Sequence, residues 1–508
     1  MTHPHADGGT AVTAAAPRYC VIGAGAAGLA ALQTLLAAGR EVDCFEATDR
    51  VGGHWNTDYE ALHLITSRDV TGYAGFPMPA DYPLFPSRDQ VTAYLNAYAD
   101  VHDLRSRITF GVRVESVVPV PAPVEGQGST GSAGWVVRTS DGEERAYDGV
   151  FVANGHLHDQ RVPTVPGEFT GRQIHSGSYS STADVEGRRV LVVGSGNSGC
   201  DLAVDAAQHR LEVSICIRSG HYFQPKTFFG VPRSELGWLK QFTFEEQDLL
   251  TRLLITASKG TYENYPGLPK PPFRTLAEGA PIVNELLLHW IQHGRVTVVP
   301  GIERFEGRTV HFDDGSTGEF DTILWATGFH PSLPFLADDL LQIDGGVPLR
   351  TAGGVVPAGL DRLYLIGMAA PRGPQIALYP VQSQLALSMA ELWEDGLDRS
   401  LAAALEAEQP LERRIDMIRP DWEAQMEASR DLVQRLAAEL GARLEVDPPH
   451  PPHEPVPEEG SYDGRGVWTS ERERRTYREA LRLRSPCAVR VREEDAAKSR
   501  RARPPQKD

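Results

Sequence analysis

The chain is poor in cysteine, and no two of its cysteines lie close together. Cys20, Cys44, Cys200, Cys216 and Cys487 are the five in 508 residues. No pair stands at CxxC spacing, which excludes a zinc knuckle, a thioredoxin-type redox pair and the framework of a small disulfide-rich scaffold. Reduced thiols in a cytoplasmic setting are the expectation. Basic charge is also scarce. Fifty Lys and Arg face 68 Asp and Glu, a formal net charge of −18, whereas a general nucleic-acid binder needs a basic surface to hold phosphates. A credible membrane span is missing too. The uncharged stretch between Arg18 and Arg40 exceeds the roughly 20 residues a span needs, but Gly23, Gly25, Gly28, Gln33, Thr34 and Gly39 interrupt it. Nor is it a signal peptide, since Met1 to Pro17 holds no Lys or Arg. No His/Asp/Glu cluster has metal-ligand spacing and no GxSxG elbow occurs, so no metal is expected and metallohydrolase and serine-hydrolase chemistries fall away. What is present is an ordinary globular mix, 41% hydrophobic and 23% charged, long enough for two or three domains.

The uncharged stretch has a better explanation. Residues 19–22 form a short buried strand that runs into Gly23-Ala24-Gly25-Ala26-Ala27-Gly28. An Ala/Leu helix follows to about Ala38, is stopped by Gly39, and gives way to a strand ending at Glu46. GxGxxG inside such a βαβ opening has a mechanism. The first glycine allows the tight turn, the second lets a pyrophosphate approach the backbone, and the third lets helix and strand pack closely. The helix N-terminus then faces the anion. The pattern recurs at Arg189 to Val193, followed by Gly194-Ser195-Gly196-Asn197-Ser198-Gly199, a helix, and a strand from Glu212 to Ile217.

The two units differ at the end of their second strand. The first ends at Glu46, whose carboxylate suits a free ribose hydroxyl. The second ends at Arg218, beside Ser219, and a guanidinium suits a 2′-phosphate. Two different dinucleotides are therefore expected, FAD at the first and NADPH at the second. Elsewhere residues 124–134 are a glycine-rich loop. Residues 447–460, with six prolines, are a linker, and residues 471–508 hold 13 Lys/Arg against 7 Asp/Glu, a basic tail on an acidic body.

Two such fingerprints in one chain resemble the two-dinucleotide flavoproteins, and the segment between them narrows the likeness. FTGRQIHSGSY, from Phe169 through His175 to Tyr179, resembles the FxGxxxHxxxY/F signature of flavin-containing monooxygenases; Baeyer–Villiger relatives usually end it in Trp. Val51-Gly52-Gly53-His54-Trp55 resembles the family's GG-x-W segment beside the flavin. Ala326-Thr327-Gly328-Phe329 resembles its ATG-Y motif, and Ala153-Asn154-Gly155-His156 a variant of the first crossover. Leu365-Ile366-Gly367 and the Gln382/Gln384 region resemble the closing flavin contacts. The likeness covers about residues 18–395 and is to the class B flavin-containing monooxygenases, bacterial in type with some features of the plant auxin-forming members.

This resemblance implies an α/β fold of two Rossmann-like domains, with the NADPH domain (166–331) inserted into the FAD domain (18–165 and 332–445). A loose leader (1–17) and a linker with a charged tail (446–508) flank them. It implies that NADPH reduces FAD and that the reduced flavin captures O₂ as a C4a-(hydro)peroxide in a closed, dry site. The oxygen then passes to a nitrogen or sulfur of a small molecule. With no C-terminal anchor, a soluble cytoplasmic enzyme with neither membrane nor nucleic acid as a partner is expected; a homodimer is compatible with it.

The departure from the family is at Leu62-His63-Leu64-Ile65-Thr66-Ser67-Arg68, where Ile65 takes the place of an Asn that sits over the flavin in animal and many microbial members. The Leu-His-Leu wording is nearer the plant members, which also lack that Asn. Ile cannot donate a hydrogen bond, so either Thr66 or Ser67 substitutes, or the oxygen is held without that bond. Carbonyl attack of Baeyer–Villiger or 2-oxo-acid type is therefore the alternative to N- or S-oxygenation. A plain NADPH-dependent flavin reductase ranks lower, because such enzymes carry a redox cysteine pair, and a non-catalytic flavoprotein would leave Arg218 without a role. An unperturbed histidine titrates near neutrality, which makes His175 a candidate acid/base, though the resemblance gives it the part of a hinge between domains. His54 is a candidate flavin contact and Trp55 a candidate flavin wall. Cys20, Cys44 and Cys200 are expected to be core.

Overall fold

The computed structural model describes residues 16–121 and 132–442. The leader before residue 16, most of the loop at 124–134, and the linker and tail from 446 onward lie outside the described residues.

The elements that position the site run in this order: β1 (Arg18–Ile22), α1 (Ala26–Ala37), β2 (Glu41–Glu46), α2 (Arg88–Val101), β3 (Ile108–Phe110) and β4 (Gly149–Val152); then β5 (Arg172–His175), β6 (Arg189–Val193), α3 (Asn197–Gln208), β7 (Glu212–Cys216), α4 (Phe244–Lys259), α5 (Leu286–Gln292), β8 (Val296–Val299) and β9 (Thr322–Trp325); finally β10 (Leu363–Leu365), α6 (Tyr379–Glu394) and α7 (Arg419–Glu439). They build two parallel five-stranded sheets, ordered β10-β4-β1-β2-β3 and β8-β7-β6-β9-β5. An antiparallel three-stranded sheet is attached to each.

Parallel strands covered on both faces must be apolar throughout, and β1 and β6 are: Cys20 to Ile22 and Val190 to Val193 are buried. In each sheet the fingerprint strand lies next to the strand that follows it. Ile22 pairs with Phe45 and Val193 with Cys216, so each glycine loop emerges beside the end of its partner strand. Gly23 N–H donates to the Phe45 carbonyl at 2.8 Å and Gly194 N–H to the Cys216 carbonyl at 3.2 Å. These are the switch points at which open α/β sheets bind ligands.

The charge-free stretch after Arg18 is explained by packing. Leu29, Leu32 and Leu35 of α1 are fully buried in one core with Leu385, Met389 and Leu392 of α6. Burying each leucine stabilises by about 1.5–3 kcal/mol. Among the described residues no helix is long and apolar enough to cross a membrane. The second core joins Leu202 and Ala203 of α3 to Leu287 and Ile291 of α5. Tyr59 belongs to this second core, with Ala61 and Leu62 packed against it, although they precede β3 in sequence. The Glu60 N–H donates to the Ser180 carbonyl at 2.9 Å. The segment that leads to Ile65 is thus held by the second sheet's domain.

Candidate functional site

The first cradle lies at the end of β1. Gly23 has φ +99°, and a Cβ there would stand 2.6 Å from the Ala153 carbonyl oxygen; a Cβ on Gly28 would stand 1.8 Å from the Gly23 carbonyl oxygen. These two glycines allow the turn and the helix–strand approach. Gly25 is different. Its nearest neighbour beyond the adjoining chain is the Gly53 Cα, 3.6 Å from a built Cβ, and Gly53 faces back toward Gly25. Gly25 caps α1 without a side-chain hydrogen bond, so the first-turn N–H groups are free to meet an anion. Ala27 sits in that first turn, buried and facing Gly367.

Glu46 ends β2 and is buried. Its Oε2 accepts the Ala24 N–H at 2.7 Å, and its Oε1 accepts the Thr48 N–H at 2.8 Å and hydroxyl at 2.7 Å. The carboxylate therefore ties the glycine loop to the strand end and keeps acceptor capacity on Oε2. His54 contacts Asp58 at 2.5 Å, and its ring centroid lies 5.0 Å from that of Trp55, which is half-buried against the first core. Asn154 donates to the Ser332 carbonyl at 3.1 Å, while its Oδ1 is buried with no partner. Burial, with His54 adding to it, pushes the His156 pKa down to about 4. Gln382 accepts the Gly367 N–H at 2.8 Å. Gln384, two residues further along α6, lines a large cleft instead.

The second cradle repeats the arrangement. Cβ atoms on Gly194 and Gly199 would stand 2.3 Å from the Ala326 carbonyl oxygen and 2.0 Å from the Gly194 carbonyl oxygen, whereas Gly196 has nothing within 4 Å. Asn197 accepts the Val283 N–H at 3.0 Å, and Ser198 lies beside Tyr59. Arg218 and Ser219, just beyond β7, are exposed. The Arg218 guanidinium makes no hydrogen bond or ion pair with any described residue. At the crossover, Arg161 places two donors on the Thr327 carbonyl at 2.9 and 2.7 Å, and the Thr327 hydroxyl donates to the Arg161 carbonyl.

His175 and Tyr179 are engaged within the chain. His175 Nδ1 accepts the Gly177 N–H at 3.1 Å, so the proton is on Nε2, 3.0 Å from the Gly328 carbonyl. Burial lowers its pKa, so the ring is neutral. Tyr179 is fully buried and donates to Asp205 at 2.8 Å; burial and that carboxylate raise its pKa. At the departure segment, Ile65 is half-buried. The Thr71 hydroxyl donates to the Ser67 carbonyl at 2.6 Å, which leaves the Thr66 hydroxyl, 2.8 Å away, to donate to Thr71. The Ser67 hydroxyl donates to Glu235.

No motif marks Asp201, a carboxylate of α3 that meets the Tyr59 segment. Its Oδ2 accepts the Tyr59 hydroxyl at 3.0 Å and its Oδ1 the Asn284 amide at 2.8 Å. Burial raises its pKa to about 6, against the opposing pull of Tyr59 and of the nearby Lys226. A carboxyl group whose folded pKa exceeds the unfolded value of about 3.9 binds more protons when folded, so its contribution falls as pH climbs from about 4 to 6. Asp201→Asn keeps the Asn284 contact and does not titrate. Its stability relative to the parent is expected to improve by on the order of 2 kcal/mol between pH 4 and pH 7, read from urea unfolding at both pH values. A difference independent of pH would contradict this.

The flavin-binding monooxygenase-like family model matches residues 16–391, a span containing both cradles. Flavin-containing monooxygenase 5 of Homo sapiens is 29% identical over 487 residues, covering 88% of this chain and 90% of its own length. Indole-3-pyruvate monooxygenase YUCCA1 of Oryza sativa subsp. japonica is 30% identical over 373 residues, covering 69% and 88%. The open crystal structure of cyclohexanone monooxygenase superposes with a TM-score of 0.62 at 18% identity, over 83% of this chain and 98% of that one. The flavin-containing monooxygenase of Stenotrophomonas maltophilia gives 0.54 at 21% identity, over 83% and 99%. Both structures share the fold of two parallel Rossmann-like sheets. The chain belongs to the flavin-binding monooxygenase-like family and is a flavin-dependent NADPH monooxygenase.

Proposed function

We propose that FAD occupies the first cradle and NADPH the second, and that the enzyme oxygenates the carbonyl carbon of a small molecule, in the Baeyer–Villiger or 2-oxo-acid manner. When bound, the nicotinamide supplies hydride and the flavin supplies oxygen activation. The chain's own residues supply the rest. Gly25, Gly53 and the first turn of α1 take one pyrophosphate, and Gly196 with the first turn of α3 takes the other. Glu46 Oε2 accepts a ribose hydroxyl and Arg218 pairs with a 2′-phosphate. His175 and Tyr179 are positioning residues that hold the crossover and the core behind it.

The observation that carries the choice of substrate atom is the departure segment. An oxygen handed to an amine or thioether must be electrophilic, and a proton donor beside it makes it so; an oxygen that attacks a carbonyl must be nucleophilic. Ile65 has no donor, and the Thr66 and Ser67 hydroxyl protons already go to Thr71 and Glu235. Nitrogen or sulfur oxygenation, placed first on the sequence, becomes the second reading; Tyr179 at the end of the signature, where the Baeyer–Villiger relatives carry Trp, favours it. The test is oxygen uptake by FAD-loaded enzyme with NADPH on amines, thioethers, ketones and 2-oxo acids. Turnover confined to the carbonyl compounds is expected, and turnover confined to amines and thioethers would reverse the order.

A further inference from the structure

A small hairpin is fixed against the Ile65 segment. Thr227–Phe228 pairs with Val231–Pro232, and the Arg233 N–H donates to the Lys226 carbonyl at 3.0 Å. Lys226 and Arg233 therefore stand opposite each other, and opposed residues of a hairpin share a face. Lys226 Nζ donates to the Leu64 carbonyl at 2.9 Å, and Glu235 accepts the Ser67 hydroxyl. Of the two cations, Lys226 has anionic company in Asp201 and Glu285.

Arg233 has no such company. Its Nε is buried with no hydrogen-bond partner, and its guanidinium makes no hydrogen bond or ion pair with any described residue. Burial lowers its pKa to about 10 with no carboxylate opposing it, so it remains a cation at neutral pH. Arg233 is half-buried, and a partly desolvated charge without a counter-charge is destabilising. Around the cleft Arg40 pairs with Glu391 and Glu394, Asp248 with Arg252, Arg372 with Asp416 and Arg419 with Glu423, while Lys240 and Arg430, further along its wall, make no ion pair with any described residue. Arg233 lines a cleft of about 1870 Å³, together with Gln224, with Val70 and Ala74 just beyond the Ile65 segment, and with Gln384 and Leu385 of α6. This is ample room for a small molecule, whose sites are usually about 300–1,000 Å³.

We propose that Arg233 binds the carboxylate of an anionic substrate in this cleft, beside the Ile65 segment. The proposal rests on the oxygenase reading above and names its substrate class. The planar fork of a guanidinium donates two parallel bonds to a carboxylate, and the substrate anion supplies the counter-charge that the fold does not.

Phenylpyruvate and phenylacetone share an arylmethyl ketone body and differ by the carboxylate. 4-(Methylthio)butanoate and its methyl ester make the same comparison for a thioether. Dissociation constants of all four are to be measured on the oxidised FAD-loaded enzyme by calorimetry, without turnover. The acids should bind more tightly than their neutral partners. Arg233→Met and Arg233→Gln should shrink that preference by about ten- to a hundredfold, and Arg233→Lys should restore part of it. Removing an unpaired charge should leave the melting temperature of Arg233→Met equal to or above the parent's. Equal affinity for acid and neutral partner in the parent would overturn the proposal. So would a loss of NADP⁺ affinity in Arg233→Gln as large as the loss for phenylpyruvate, which would make Arg233 a cofactor contact. A lower melting temperature with no rescue by Lys would make it structural and would also overturn it. Because binding is read apart from turnover, an enzyme that oxygenates nothing yet keeps an Arg233-dependent preference for acids would sink the catalytic reading alone.

Discussion

Gly25→Val is expected to yield a folded but colourless protein. The outcome depends on what each fingerprint glycine faces. A Cβ on Gly28 collides with the Gly23 carbonyl at 1.8 Å, so a side chain there breaks the fold and says nothing about a ligand. A Cβ on Gly25 meets only ordinary contacts with Gly53, so the chain folds around it. The valine methyls then fill the space in front of the uncapped first turn of α1. Overpacking alone costs about 1–3 kcal/mol, and each lost charge-assisted bond to phosphate about 1.5–3 kcal/mol. With one such bond lost, these together weaken FAD by about a hundredfold to ten-thousandfold. The check is the ratio of flavin to protein absorbance after purification, followed by titration of apoprotein with FAD. Gly196→Val provides the control: it blocks the other cradle in the same way, so it should stay yellow and lose reduction by NADPH. A yellow Gly25→Val with parent-like FAD affinity would remove the first cradle from the argument.

What was legible in the sequence was local. The glycine roles depend on contacts within one βαβ unit, such as Gly28 against Gly23 and Gly199 against Gly194. The positions of Glu46 and Arg218 follow from the length of a strand. The charge-free helix could be told from a membrane span by its glycines. What was not legible depends on distant pairs. Tyr59 meets Asp201 across 142 residues and Ser67 meets Glu235 across 168, and no spacing rule links such positions. The same is true of Arg233, whose lack of a partner is a property of everything around it. Gln382 and Gln384 fall in one resemblance, but the turn of α6 sends the first to Gly367 and the second to the cleft. His175 can be read as an acid/base or as a hinge, and its two nitrogens bond backbone groups of Gly328 and Gly177.

Arg218→Ala is expected to remove the preference for NADPH over NADH. Arg218 is exposed just past β7, next to Ser219 and without a partner among the described residues, whereas the matching Glu46 is buried and bonded three times within its own loop. A guanidinium in that place gains a bidentate pair only when the dinucleotide carries a 2′-phosphate. Such a pair contributes about 1.5–3 kcal/mol, a ten- to hundredfold preference. The variant should raise KM for NADPH by that factor and move KM for NADH far less, since the proposed pyrophosphate site at Gly196 is untouched. An exposed pair is screened by salt, so the parent's KM for NADPH should climb with ionic strength and the variant's should be nearly flat. Arg218→Lys should recover the charge but lose the fork, and so fall between the two. Steady-state reduction of the flavin with both nucleotides, at low and high salt, reads all of this. A parent equally efficient with NADH and NADPH would refute the assignment. If instead Arg218→Ala keeps both the preference and the salt dependence, the 2′-phosphate is met by another cation, and the strand-end rule that distinguishes the two cradles does not hold for the second.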